Sequence, residues 1–338
     1  MERVSSMQPG RLRVVIPGGS GELGWVLARH FQGRGHHVTV LTRSPYTAPW
    51  RTVYWDGERT GPWVNYLEGA DVCIHLAGRS LRCRYDKTCR EEIYRSRVGS
   101  TWLLNRVLAG LASPPRVWLN ASTADIYRHT MDRAGVDWEM NEATGELGGG
   151  EPISKWRHAP ESWNFATRVA KDAERTFFEE NLPRTRKVAL RSAVVMSTAA
   201  SGMFAQLSRL VRLSLGGAQG GGRQFVSWIH EDDFARAVEF LVEREWLDGP
   251  VNLASPNPVR NRELMAGLRE AWNVPNGFPI PTPLVELAAL ALQTQAGIVL
   301  KSRRVVPARL LEAGFRFEFP EWAEAAENLV RRWRARDE

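Results

Sequence analysis

The segment Pro17-Gly18-Gly19-Ser20-Gly21-Glu22-Leu23-Gly24 restricts the fold of this chain more than any other. It follows a short β-branched run at 12–16 and opens the stretch 23–31, where Leu23, Leu27, Ala28 and Phe31 recur on one helical face. A strand, a tight turn and a helix are expected in that order. The glycines of Gly18-x-x-Gly21-x-x-Gly24 have separate tasks in such a turn. Gly18 permits the sharp bend, Gly21 lets the backbone approach a pyrophosphate, and Gly24 lets helix and strand pack closely. The helix N-terminus adds N–H groups and positive potential. A purely structural turn is the alternative, and the strand-turn-helix context favours a dinucleotide site.

The remainder of the chain keeps alternating. Residues 37–41, 71–76 and 117–120 read as strands, with 91–111 helical between the last two. After a polar, glycine-rich stretch at 137–160, residues 163–180 read as a helix and 187–196 as a continuous apolar strand of the kind buried on both faces. This order predicts an α/β fold with a doubly wound parallel sheet, Rossmann-like. From Ser197 the pattern loosens into a helix at 203–215, a glycine loop at 216–222, a strand at 224–229 and a helix at 233–244. A proline-rich linker at 275–283 precedes helical segments at 284–300 and 322–333. The expected division is a dinucleotide-binding domain over 11–196, to which 224–254 return. A smaller substrate lobe and C-terminal helical cap take 197–223 and 255–338.

Several function classes are excluded by composition. A length of 338 residues suits about two folding units, and 43% hydrophobic with 25% charged residues is globular rather than disordered or fibrous. The longest apolar stretch, 284–292, carries Glu286 and falls short of the roughly 20 residues a membrane span needs. Residues 1–10 lack the apolar core of a secretory signal, so the cytoplasm is the expected compartment. Cys73, Cys83 and Cys89 show no C-x-x-C spacing and read as free thiols, and His36 and His37 make no ligand set, so no metal is expected. The formal charge of +7 comes from arginines scattered among acidic residues, which does not make the basic stripe that nucleic acid requires. A small molecule is the expected partner, with the chain a monomer or homodimer.

The identity of the dinucleotide follows from the end of the second strand, Leu41-Thr42-Arg43-Ser44. An acidic residue there favours a free ribose 2′-hydroxyl. Arg43, flanked by hydroxyls, suits a 2′-phosphate through charge-assisted hydrogen bonds, so NADP(H) is preferred over NAD(H). The alternative is an Arg43 that simply faces solvent.

These residues, with Leu76-Ala77-Gly78 and Trp228-Ile229-His230-Glu231-Asp232-Asp233, resemble the extended and atypical short-chain dehydrogenase/reductases. Within them the chain is similar to a branch of epimerase-family proteins of largely unassigned activity. That similarity runs through Ser96-Arg97-Val98, Gly222-Arg223-Gln224, Gly249-Pro250-Val251-Asn252-Leu253, Arg304-Val305-Val306-Pro307 and Gly314-Phe315, and spans about residues 11–333. The resemblance implies a cofactor lined by Gly18, Gly19, Ser20, Gly21, Glu22, Leu23 and Gly24, by Arg43 and Ser44, by Leu76, Ala77 and Gly78, and by Ser122. It also implies that the strand ending in Arg191-Ser192-Ala193-Val194-Val195 leads toward the nicotinamide.

Two departures bear on chemistry. Pro17 and Glu22 stand where the family turn commonly has Thr and an aromatic residue. A carboxylate suits a helix N-terminus by itself, but Glu22 would repel a pyrophosphate if it faced one. The second departure concerns proton transfer. Superfamily members use a Tyr whose pKa of ~10 is lowered by a Lys one helical turn later. None of Tyr46, Tyr54, Tyr66, Tyr85, Tyr94 and Tyr127 has a Lys four residues on, and Phe165 or Ala166 occupies the acid's place.

The resemblance leaves Thr123, in Asn120-Ala121-Ser122-Thr123-Ala124-Asp125-Ile126-Tyr127, as the hydroxyl that orients a carbonyl. Tyr127 is the substitute proton donor and Lys171 a third catalytic candidate. Their structural alternatives are a satisfied loop backbone for the first two and a solvated cation for Lys171. Arg79, Arg82, Arg84 and Arg97 are candidates for an anion pocket, with solvated charge as the alternative. His230 is expected to pack at the sheet edge while Asp233 caps the next helix. The implied function is an NADP(H)-binding reductase or epimerase-type oxidoreductase acting on a small polar carbonyl or sugar-like compound. The alternative is a non-catalytic NADP(H)-binding redox-sensing or regulatory protein.

Overall fold

The structure is a computed structural model that describes residues 10–80, 83, 85–130, 138–149, 161–291 and 296–337. Arg82 and Arg84, most of the stretch 137–160, and residues 292–295 of the helix expected at 284–300 lie outside the described residues.

The amino-terminal half runs β1 (Arg13–Pro17), α1 (Glu22–Gly33), β2 (His37–Thr42), β3 (Arg51–Tyr54), β4 (Val72–His75), α2 (Lys87–Tyr94), α3 (Ser100–Gly110), β5 (Val117–Thr123), α4 (Glu161–Glu179) and β6 (Arg186–Ser192). The carboxyl half contains β7 (Val194–Met196), α5 (Met203–Arg212), β8 (Phe225–Val226), β9 (Trp228–His230), α6 (Glu231–Glu243), β10 (Gly249–Leu253) and β11 (Val259–Arg260). Five helices complete it: α7 (Asn261–Trp272), α8 (Thr282–Ala291), α9 (Gly297–Leu300), α10 (Ala308–Glu312) and α11 (Trp322–Asp337).

Seven strands form one parallel sheet in the order β10-β6-β5-β4-β1-β2-β3. Alternate side chains along each strand point to opposite faces. Val14, Ile16, Ile74 and Leu119 pack under α1 and α6, with Leu27, Phe31, Phe234 and Leu241. Val15, Cys73 and Trp118 pack under α3 and α4, with Leu104, Leu108 and Phe177. Both faces are covered by helices, as a parallel sheet requires, and the Rossmann-like expectation is met. A third cluster joins α5, α7 and α11 around Trp228 and Trp322.

Four details differ from the sequence reading. The apolar run at 187–196 breaks at Ala193, whose N–H bonds to Leu253, and β7 then leaves the main sheet to pair with β9. The strand expected at 224–229 is two short strands, β8 paired with β11 and β9 paired with β7, so within 224–254 only β10 joins the main sheet. The helix expected at 91–111 is interrupted by a π turn, Arg95–Gly99. Cys83 and Cys89, expected as free thiols, are joined by a disulfide. Asp86 caps α2 by accepting the N–H of Cys89 at 2.8 Å, and this turn brings Cys83 back onto the first helical residues. Cys73 remains a buried free thiol, and burial raises its pKa.

Candidate functional site

The sheet order reverses between β1 and β4, and ligands of open α/β sheets bind outside the carboxyl ends of the strands at such a point. There Gly18 adopts φ 79°, and a Cβ on it would collide with the backbone of Ala77. A Cβ on Gly24 would collide with the carbonyl of Gly19, so the opening turn of α1 packs directly on the loop. Gly19 is pressed against Ile16, where a Cβ would come within 2.9 Å of Cγ2. Gly21 differs from these three, because a Cβ there would touch nothing within 4 Å. It borders a cavity of about 340 Å³. Gly21 is also the N-cap of α1, and no side chain caps the helix. The first N–H groups of α1 are therefore left for a ligand, and they suit an anion.

Ser20, Arg43, Leu76, Ala77 and Gly78 line the same cavity. Arg43 is exposed, and Ser44 bonds through its N–H to Thr42 Oγ1 at 3.3 Å. Leu23 packs downward against the core instead. Glu22 is not among the cavity walls; its carboxylate accepts a hydrogen bond from Ser197.

The opposite wall comes from residues that sequence reasoning missed: Trp55, Asp56, Gly57 and Glu58 after β3, and Glu92, Arg95, Ser96 and Ser100 around the π turn. Asp56 accepts the N–H groups of Glu58 and Arg59 at 2.9 and 3.0 Å. Partial burial opposes its charge, but these bonds outweigh that and hold the carboxyl below its ordinary pKa. Arg95 pairs with Glu58 at 3.3 Å and Arg79 with Glu92 at 2.7 Å. Trp55 is buried, and its indole N–H has no partner. The free donors at Gly21 and the start of α1 suit the phosphates of a nucleotide.

Beyond Ala77, which borders both spaces, lies an inner cavity of about 20 Å³. Its walls include Arg97, Ser122, Thr123, Ala166 and Ala170. Ala166 and Ala170 are four residues apart on α4, so two methyl groups line the helix face where the sequence reading looked for a phenol and an ammonium. Thr123 Oγ1 accepts the N–H of Asp125 at 3.2 Å. Ser122 donates to the buried Glu174 at 2.5 Å.

The other two catalytic candidates lie elsewhere. Tyr127 is 1% exposed. Its hydroxyl donates to Asn252 at 3.0 Å and accepts from Arg191 at 3.0 Å, and Arg191 grips Glu174 with two bonds of 2.9 and 2.7 Å. Lys171 donates to the Gly148 carbonyl at 3.2 Å. Neither lines the two cavities.

A charged cluster surrounds Asp125, two residues after Thr123. Asp125 pairs with Arg303 and lies 3.8 Å from Lys301 Nζ. Burial opposes its ionisation, but these cations prevail and lower its pKa. Lys301 is 4% exposed and donates to the carbonyls of Asp125 and Tyr127, both at 3.0 Å. Burial pushes its pKa down to about 8. His75 is bonded at both ring nitrogens, to Asn120 at 2.6 Å and Ser100 at 3.1 Å, and burial lowers its pKa to about 4. His230 is buried at the end of β9 against Phe319, as expected, but it rather than Asp233 caps α6. His230 Nδ1 caps α6 by accepting the N–H of Asp232 at 3.1 Å. Asp233 holds the N–H groups of Glu318 and Phe319, both at 2.8 Å. Among the described residues no group of three or more His, Cys, Asp and Glu side chains could hold a metal.

A parallel sheet with a glycine cradle at its switch point is the Rossmann-like arrangement of nucleotide-binding folds, the fold shared by short-chain dehydrogenase/reductase structures. Residues 14–143 match the NAD dependent epimerase/dehydratase family, and residues 280–329 match a domain of unknown function, DUF1731. The epimerase family protein SDR39U1 of Mus musculus is 28% identical over 323 residues, covering 94% of this chain and all of that protein. The epimerase family protein YfhF of Bacillus subtilis is 25% identical, covering 94% and 98%. The crystal structure of human SDR39U1 with NADPH superposes with a TM-score of 0.79 at 26% identity, covering 94% of this chain and 99% of that one.

Proposed function

We propose that this protein binds NADP(H) in the larger cavity and acts as a reductase or epimerase-type oxidoreductase on a small polar carbonyl or sugar-like substrate. The observation that carries the reading is the uncapped start of α1 facing open space at Gly21, with Arg43 on the same cavity. The NADPH in the human relative supports the choice of cofactor. When bound, the nicotinamide would supply or accept hydride. Thr123 orients the substrate: its oxygen accepts the Asp125 N–H, which leaves the hydroxyl hydrogen to donate to a carbonyl oxygen. Burial of Tyr127 within the Glu174–Arg191–Asn252 network favours a positioning role for it over proton donation.

A second reading, a non-catalytic NADP(H)-binding sensor, is favoured by Ala166 and Ala170 on the wall of the inner cavity. The two readings separate in one experiment. Calorimetric titration with NADPH and NADH is followed by incubation of the NADPH complex with a panel of carbonyl compounds. The enzyme reading expects saturable NADPH binding and oxidation of at least one compound, abolished by Thr123→Ala. Binding without oxidation of any compound supports the sensor, and absence of binding overturns both.

A further inference from the structure

Resting on the cofactor reading above, we propose that Arg97 anchors a carboxylate of the substrate, set beside the carbon that exchanges hydride. Arg97 belongs to the π turn between α2 and α3, and single π turns inside helices recur at functional sites. Its guanidinium lies against Gly78, where a Cβ would come within 3.0 Å of Cζ, so a side chain at 78 would displace it. It is thereby held between the larger cavity, bordered by Gly78, and the inner cavity, which Arg97 lines together with Thr123.

The polar accounting around this side chain is incomplete. One bond, from Nη2 to the Arg79 carbonyl at 3.2 Å, is its side-chain hydrogen bond among the described residues, and the buried Nε has no partner. No carboxylate among the described residues forms an ion pair with it. Asp125, whose field reaches Arg97, is already engaged by Arg303 and Lys301, so three cations share one carboxylate. Two other titratable neighbours supply no compensation: burial pushes the Tyr85 phenol up to about 12 and the His75 imidazole down to about 4, so both are neutral near pH 7. The half-buried guanidinium thus has its Nε shut off from water without a partner, and a bound anion would supply the missing counter-charge.

Size selects the anion. The inner cavity holds on the order of one water. That space receives at most the tip of a carboxylate at the guanidinium and excludes a nucleoside diphosphate, so the rest of the ligand would lie toward the larger cavity across Ala77. The guanidinium fork matches a carboxylate with two parallel bonds, which an ammonium cannot do. Thr123 on the same wall is then in place for the neighbouring carbonyl oxygen, which describes a 2-oxo or 2-hydroxy acid.

The test uses the full chain saturated with NADPH and titrated calorimetrically with oxamate and with its neutral ethyl ester. Oxamate is expected to bind at least about tenfold more tightly than the ester. Arg97→Gln is expected to lose about tenfold or more in oxamate affinity while NADPH affinity stays within about twofold. Arg97→Lys, which keeps the charge without the fork, is expected to fall between them, and it carries the test if the Gln variant melts early. Equal binding of oxamate and ester, or undiminished oxamate binding by the variants, overturns the proposal. A tenfold loss of NADPH affinity in Arg97→Gln also overturns it, since the guanidinium would then serve the cofactor's phosphates. Wild-type protein that takes up no NADPH defeats the cofactor reading itself, a result distinct from NADPH uptake with no preference for the carboxylate.

Discussion

Gly21 and Gly24 occupy one turn and do different work, and substitution separates them. Gly21→Ala places a methyl in the space left for phosphate, so NADPH affinity is expected to fall about tenfold or more while the melting temperature hardly moves. Gly24→Ala drives the same methyl into the Gly19 carbonyl, and a loss of about 1–3 kcal/mol is expected in urea titrations. Arg43→Asp is expected to weaken NADPH far more than NADH, because only NADPH carries the 2′-phosphate; equal losses measured by calorimetry would remove the case for NADP. These residues were legible because a glycine turn between a strand and a helix has few physical uses. Trp55 and Glu58 were not. They belong to the loop after β3, a four-residue strand whose exposed and half-buried pattern carries no apolar signal.

At the scale of elements, the polar chain from Ser122 through Glu174, Arg191 and Tyr127 to Asn252 ties β5, α4, β6 and β10 together. Tyr127→Phe leaves Asn252 and Arg191 each short of a partner, with an expected cost of about 1–3 kcal/mol in urea titrations. If Tyr127 is a positioning residue, the variant at saturating NADPH keeps whatever carbonyl reduction the wild type shows; its loss would return Tyr127 to the proton-donor role. The sequence placed Tyr127 at the right distance along the chain but could not give its direction. The 3₁₀ turn Ala124–Ile126 sends the ring inward, away from the cavity. The π turn was hidden for a similar reason. Residues 91–111 have the periodicity of one helix, and a single extra residue in the turn rotates Arg97 and Ser100 toward β4 without any signature of composition.

For the whole molecule, His75, His129 and His230 sit in three separate regions, and burial lowers each to about 4. Unfolded histidines titrate near 6.5. Between those values the unfolded chain binds more protons, so stability rises with pH across this window. It is full above about 6.5, is lost progressively as pH falls toward 4, and amounts to on the order of a few kcal/mol for each histidine. Urea midpoints at pH 7.5, 5.5 and 4.5 should fall in that order, less steeply in His75→Gln; a flat profile would contradict the buried neutral state. Overall architecture was the most legible level, because strand-helix alternation with apolar strands admits few layer arrangements. The routes of β7, β8 and β9 were not legible, since two- and three-residue strands are set by distant partners rather than by their own pattern.

The late return of β10 to the outer side of β6 has a kinetic consequence. During synthesis β6 emerges well before the segment that will cover its free edge, and Val188 and Leu190 stay part of an open template for other nascent chains. A polypeptide ending at Met196 should therefore scatter light and sediment, whereas the full chain stays dispersed. The ribosome has to deliver about three quarters of this protein before its central sheet is safe from its neighbours.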